Sequence, residues 1–192
     1  MELVFASNNQ HKVDEVQALI GGKITLKSLN DIGCQEEIPE TGDTFAENAG
    51  QKSRYIYERY HFDCFADDSG LEIDALGGEP GVHSAHYSGS RDFEKNMSLV
   101  LARLEGKSDR KARFKTVISL ILKGEEHLFE GIIEGKISLQ QSGKKGFGYD
   151  PIFIPKGYNL SFAEMSAQQK NTISHRARAM MKLISFLSSE YS

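Results

Sequence analysis

The sequence predicts an α/β (α+β) protein with a long mixed central sheet flanked by helices, and three observations carry that prediction. A buried-strand pattern at Leu3-Val4-Phe5-Ala6 passes directly into helical spacing at Val13, Val16 and Ile20. Two apolar stretches, Phe114 to Leu122 and Leu128 to Ile137, read as paired strands joined by a Gly124-Glu125-Glu126 hairpin link. Helical patterns stand at both ends of the chain with strands between them, which is the element order of a mixed sheet.

Along the chain, Asn8 or Asn9 caps the first helix, because a side-chain oxygen there takes one of the unpaired N–H groups of the first turn. Ile24 to Leu29 alternates as a short strand. Thr44-Phe45-Ala46-Glu47 has the T-x-x-E form of a capping box, and the apolar stripe Phe45, Ala49, Ile56 and Tyr60 predicts a long second helix. Phe62 to Ala66 and then Leu71, Ile73 and Ala75 read as two strands flanking an Asp67-Asp68-Ser69-Gly70 turn. Gly77-Gly78-Glu79-Pro80-Gly81 is a loop expected to border a cleft. Phe93, Met97, Val100, Leu101 and Leu104 give a third helix from Asp92 to Leu104. Ser174 caps a last helix whose Ala177, Met180, Met181, Ile184 and Leu187 are expected to face inward. No repeat, linker or low-complexity tract interrupts the 192 residues, so one domain over 1–192 is expected.

Composition narrows the function classes. Lys plus Arg is 23 against Asp plus Glu 27, a formal charge of -4, so no global positive field exists to hold a nucleic-acid backbone and phosphate recognition must be local. Cys34 and Cys64 have neither metal-ligand nor redox spacing and make no disulfide framework, so a reducing cytoplasm is the expected compartment. The chain opens on Leu3-Val4-Phe5-Ala6 without a charged leader, and no apolar span reaches about 18 residues, so neither secretion nor a membrane partner is expected.

Two short segments carry the chemistry. Ser7-Asn8-Asn9-Gln10-His11-Lys12 sits at a strand-to-helix junction and contains no glycine, so it is not a G-x-x-x-x-G-K-[ST] loop. A phosphate cradle here combines helix N–H groups, Asn side chains and the Lys12 ammonium; a polar loop with an Asn cap accounts for the same residues. A helix terminus supplies only about 0.3 to 1 kcal/mol toward an exposed anion, whereas micromolar binding needs about 8 kcal/mol, so further cations are required. Lys52, Lys170 and Arg176 are the candidates. Lys52 lies four residues after Asn48, which puts both on one polar face of the second helix.

The second segment is Ala66-Asp67-Asp68-Ser69-Gly70-Leu71. Adjacent carboxylates after an apolar run suit metal-assisted attack on a phosphate, and successive strand side chains point to opposite sides, so Asp67 and Asp68 should not do the same job. A plain Asx turn is the alternative. Glu40 is a third candidate carboxylate; Mg²⁺ takes oxygen ligands and keeps waters, so Glu40 and Asp68 with substrate phosphates suffice, while Glu47 is explained by its cap. Phe147-Gly148-Tyr149-Asp150-Pro151 offers rings and an acid to stack and read a planar base, or else a tight turn with Phe147 in the core. His175 and Arg176 occupy the first turn of the last helix, where cations are disfavoured unless an anion or carbonyl is near. His11, His61, His83, His86 and His127 have no metal spacing. Together the two segments point to a nucleotide hydrolase.

In this combination the motifs resemble the inosine triphosphate pyrophosphatase family. The matches run nearly end to end: Ser7-Asn8-Asn9 with Lys12, Glu40-Thr41-Gly42-Asp43-Thr44-Phe45 through Glu47-Asn48-Ala49 to Lys52, then Ala66 to Leu71. They continue as Pro80-Gly81-Val82 with Ser84-Ala85, Gly146 to Phe153, Phe162-Ala163-Glu164-Met165, and Lys170-Asn171 with Ser174-His175-Arg176. The resemblance implies hydrolysis of the purine nucleotides ITP, dITP and XTP to the monophosphate and pyrophosphate. It also implies at least one Mg²⁺ per subunit, a homodimer, and two lobes around a nucleotide-binding cleft. It implies Asp68 as general base and metal ligand, Glu40 as second metal ligand and Ser69 as a substrate contact. Ser7, Asn8, Asn9, Gln10, His11, Lys12 and Lys52 would hold the triphosphate, Phe147 would stack on the purine, and Gly148, Tyr149, Asp150, Lys170, His175 and Arg176 would surround the base.

One departure is His86, where bacterial relatives often carry Arg in Ser-Ala-Arg-Tyr; a histidine there is a weaker, pH-dependent cation. A 6-keto purine offers an acceptor where adenine offers a donor, so donors from His175 and Arg176 would favour hypoxanthine. Two other readings stand beside this one: a pyrophosphatase of dTTP/UTP type, and a module that binds nucleotides without turning them over.

Overall fold

The start of the chain folds as its pattern predicts, a short buried strand running into a helix. In the structure, a computed structural model describing residues 1–20 and 24–190, these are β1 (Glu2–Phe5) and α1 (Gln10–Ile20). There follow β2 (Thr25–Lys27), α2 (Phe45–Tyr60), β3 (Cys64–Ile73), α3 (Phe93–Arg103), β4 (Lys111–Leu122), β5 (Glu125–Ile137), β6 (Phe153–Pro155), α4 (Ala167–Ile173) and α5 (His175–Glu190). The strands form a mixed sheet in the order β2-β1-β3-β4-β5-β6, parallel where β1 pairs with β2 and β3, antiparallel where β5 pairs with β6.

The chain divides into two compact units. The first takes Met1–Asp68, Thr116–Gly131 and Arg176–Ser192, and its core follows the period of two of its strands. Leu3 and Phe5 of β1, Phe65 of β3 and Leu120 of β4 pack with Val16 of α1 and Met180 and Leu183 of α5; Val4, Ala6, Cys64 and Ala66 pack with Ile56 of α2. The sheet is thus covered on one face by α1 and α5 and on the other by α2. The second unit takes Ser69–Lys115 and Ile132–His175, with a core of Leu71, Ile73, Val100, Phe114, Ile133, Phe153 and Phe162.

Several expectations are corrected. Asp67-Asp68-Ser69-Gly70 is no turn: β3 runs unbroken through it from Cys64 to Ile73. The hairpin link is the tighter Lys123-Gly124, both at positive φ (52° and 89°), the conformation that two-residue hairpins favour. Met181 is 62% exposed; it lies about 100° round the helix from Met180, and Leu183 takes the inward place. Phe93 opens α3 and is 39% exposed rather than part of its inward stripe. The short α4 was not expected, although Ser166 and Gln169 form a capping box that announces it. Ser174 closes α4 in an extended conformation immediately before α5. Cys34 and Cys64 are both buried and unbridged, and among the described residues no helix is long and apolar enough to cross a membrane.

Candidate active site

The acidic segment gains its meaning from being strand rather than turn. In an extended chain Asp67 and Asp68 project to opposite faces, and within the first unit Asp67 meets α1 and α5 while Asp68 meets α2. Asp67 accepts from Lys12 Nζ of α1 at 3.1 Å and from Arg176 of α5 through Nε (3.4 Å) and Nη2 (3.3 Å). Asp68 accepts from Asn48 Nδ2 of α2 at 3.0 Å. One turn along α2, Lys52 Nζ donates to the Asp67 carbonyl oxygen at 2.7 Å and pairs with the Glu40 carboxylate. Asn48 and Lys52 are therefore the polar face anticipated for this helix, and both are buried.

Local chemistry fixes this arrangement. Thr44 and Glu47 form the expected capping box, which sets where α2 begins. A side chain at residue 42 would run into Glu47, so Gly42 lets the Glu40 loop close over the helix start. Gly42 N–H donates to Asn48 Oδ1 at 2.7 Å, and because the Asn48 amide then donates its other end to Asp68, one side chain orients both the loop and the acid.

Burial raises the Asp68 carboxyl above the ordinary range; Lys52, Lys12 and the Asn48 bond oppose it, and the Glu40 charge adds to it. Glu40 and Asp68 thus share one electrostatic neighbourhood with two ammonium groups. Burial likewise lowers the Lys12 ammonium, with Asp67 opposing and Lys52 and Arg176 adding to the fall. Of the Ser7–Lys12 loop, Asn9 Oδ1 accepts the Lys12 N–H at 3.4 Å, the capping role read from the sequence, and Ser7 Oγ accepts the Asn9 N–H at 3.2 Å. Asn8, Gln10 and His11 are exposed. Arg176 is only 2% exposed; Glu15 of α1 takes its Nη1, so its guanidinium sits between two carboxylates of the first unit. Glu15 carried no signal in the sequence, where it is an ordinary helix acid.

The second unit gathers the aromatic segment. Gly146 and Gly148 stand at φ +73° and +63° on either side of Phe147, and a Cβ on Gly146 would clash with Asp150 Oδ2. That carboxylate accepts the Phe147 N–H at 2.9 Å and Lys170 Nζ at 2.7 Å, and the same ammonium lies 4.9 Å from the Phe147 ring centroid. Phe147 is half-buried rather than part of the core. Tyr149 is core: its hydroxyl donates to the Ser84 carbonyl at 2.7 Å, and burial pushes the phenol well up. His175 is buried and stacks on Phe114 at 4.7 Å and 11°. Ser69, next to Asp68, is half-buried, and His86 is exposed on the 3₁₀ turn Gly81–His86.

Among the described residues no group of three or more His, Cys, Asp or Glu side chains gathers as a metal cage. Mg²⁺ binds through one or two carboxylates and completes its shell with water and phosphate oxygens; of the two carboxylates expected to hold it, Glu40 pairs with Lys52 and Asp68 accepts from Asn48. The first unit therefore combines a basic carboxylate with clustered cations, the equipment for activating water against a phosphoryl group.

Solved structures share this mixed α/β fold over nearly the full length. The Ham1 protein of Staphylococcus aureus superimposes with a TM-score of 0.91 at 38% identity, covering 99% of this chain and 100% of that one. A HAM1 protein from Coxiella burnetii gives 0.91 at 38% identity over 98% and 99%. The chain belongs to the Ham1 family, whose model matches residues 3–186. It is similar to proteins named dITP/XTP pyrophosphatase from Flavobacterium johnsoniae (50% identical over 188 residues, 97% of this chain and 98% of that protein) and Christiangramia forsetii (51% over 189 residues, 98% and 100%).

Proposed function

We propose that this protein hydrolyses dITP, XTP and ITP to the nucleoside monophosphate and pyrophosphate, removing non-standard purine nucleotides from the pool that feeds nucleic-acid synthesis. The observation that carries the reading is the convergence of Asp68, Glu40, Lys12 and Lys52 in one unit; membership of the Ham1 family and the names of its relatives support the substrate class. Glu40 and Asp68 would hold Mg²⁺, which would supply neutralisation of phosphate charge and polarisation of the phosphoryl oxygens.

Lys12 and Lys52, with Ser7, Asn8, Asn9, Gln10 and His11 at the start of α1, take the triphosphate, and Ser69 contacts it beside Asp68. Asp68, made a stronger base by burial, accepts the proton of a water attacking the α-phosphorus as the bond to the bridging oxygen breaks and pyrophosphate leaves. Phe147 stacks on the purine, with Gly148, Tyr149, Asp150, Lys170, His175 and Arg176 around the base; the Tyr149 hydroxyl bond and the Arg176 ion pairs hold those two side chains in place. The two compact units act as lobes of one pyrophosphatase domain over 1–192, and the enzyme works as a homodimer in the cytoplasm. The family resemblance supports the dimer and the unbridged cysteines the compartment.

The test is a panel of dITP, XTP, ITP, dTTP, UTP and ATP with Mg²⁺ and pyrophosphate detection. The three purines with a 6-keto group are expected to release pyrophosphate with kcat/KM at least about 100-fold above ATP. Preference for dTTP or UTP would instead establish the pyrimidine reading, and tight ITP binding with no pyrophosphate under any divalent ion would establish a binding module.

A further inference from the structure

We propose that Phe93, the first residue of α3, is a positioning residue that braces the ring of Phe147, so that base binding depends on a side chain outside the motifs. The inference rests on the base-stacking role of Phe147 given above. Phe147 lies between two glycines at positive φ, a backbone that by itself leaves the ring poorly anchored. Asp150 fixes its N–H and Lys170 approaches its ring. A further brace comes from the start of α3, where the Phe93 ring meets Phe147 in a tilted contact at a centroid distance of 6.3 Å and an angle of 46°, within the distance range of favourable aromatic pairs.

A second link ties the same two segments. Gln141 Nε2 donates to Glu94 Oε2 at 2.9 Å, so consecutive residues of α3 hold the 141–147 loop at two points. The helix start is itself fixed, because Asp92 caps it by accepting the Lys95 N–H at 3.1 Å. Phe93 is 39% exposed and stands apart from the Met97, Val100 and Leu104 stripe that anchors α3, so core packing does not account for a phenylalanine here. The contact with Phe147 gives this ring its place: Phe93 steadies Phe147, and Phe147 meets the base.

The chain contains no tryptophan, which makes Phe93→Trp both a conservative replacement and a unique fluorophore. Wild type, Phe93→Ala, Phe93→Tyr and Phe93→Trp are compared by steady-state kinetics with XTP and Mg²⁺, and Phe93→Trp emission is followed on titration with XTP and, separately, with pyrophosphate. Phe93→Ala is expected to raise KM about 5- to 10-fold, the equivalent of about 1 to 1.4 kcal/mol, with kcat within about twofold, and the aromatic variants to restore KM. Emission of Phe93→Trp should change saturably with XTP and not with pyrophosphate. A Phe93→Ala KM within about twofold of wild type, a raised KM that Phe93→Tyr does not restore, or emission indifferent to XTP overturns the inference. A wild type that releases no pyrophosphate from XTP, dITP or ITP overturns the proposed function instead.

Discussion

Arg176 combines full burial with two acidic partners, and its neighbours decide what its loss would do. Burial opposes the guanidinium charge, and Asp67 and Glu15 together outweigh that opposition. Removing one partner of a buried ion pair leaves the other charge uncompensated, a loss of about 3 to 5 kcal/mol, whereas partly exposed pairs contribute far less. Arg176→Ala is therefore expected to lower the melting temperature by about 6 to 20 °C, and Lys12→Ala, which leaves Asp67 still paired with Arg176, by clearly less. Thermal unfolding followed by circular dichroism checks this; equal shifts in the two variants would contradict it. The sequence already held half of this result: a cation in the first turn of a helix requires a nearby anion. It did not show that the anions are protein carboxylates contributed by β3 and α1, because pairing across most of the chain leaves no mark in local spacing.

Elements were legible where a local rule sufficed. The Thr44 and Glu47 box placed the start of α2, and the period-two pattern of β1 distributed its residues between two cores. The rule failed at β3, where Asp, Ser and Gly are poor strand formers and good turn formers, yet tertiary partners override that preference: Lys12, Arg176 and Asn48 satisfy the two carboxylates in the extended chain. The Gly146–Asp150 segment offers an element-scale test. A methyl group at residue 146 meets Asp150 Oδ2 and must also tolerate φ +73°, whereas at residue 148 it meets nothing within 4 Å and bears only the strain of φ +63°. Gly148→Ala should lose about 1 to 2 kcal/mol of stability. Gly146→Ala should lose more in urea unfolding, and should raise KM for XTP about 10-fold or more because the carboxylate holding Phe147 and Lys170 is displaced. A Gly146→Ala enzyme with unchanged KM would show that this carboxylate does not set the base-binding segment.

For the whole molecule, the limits of the two compact units fall inside β3, β4 and β5, so each of these strands serves two cores without any linker or change of composition between them. A reading of linkers and breakers therefore finds one uninterrupted domain. Charge was legible at this scale, since a net -4 leaves recognition of phosphate to the few cations gathered on Asp67, Asp68 and Glu40. That concentration separates binding from chemistry. Asp68→Asn keeps the shape and one oxygen for the metal and leaves Glu40, Lys12 and Lys52 in place while removing the base, so the variant should still bind XTP and release no pyrophosphate. Saturation at about 100 times Kd stabilises a folded protein by about 2.7 kcal/mol, which for a chain of this size raises the melting temperature by about 5 to 11 °C. The expected result is such a shift in Asp68→Asn with XTP, a smaller one in Lys12→Ala at the same concentration, and none with a nucleotide that the panel shows to be a poor substrate. Turnover persisting in Asp68→Asn would remove Asp68 from the chemistry, and a missing shift in Asp68→Asn but not in Lys12→Ala would reverse the division of labour between acid and cation.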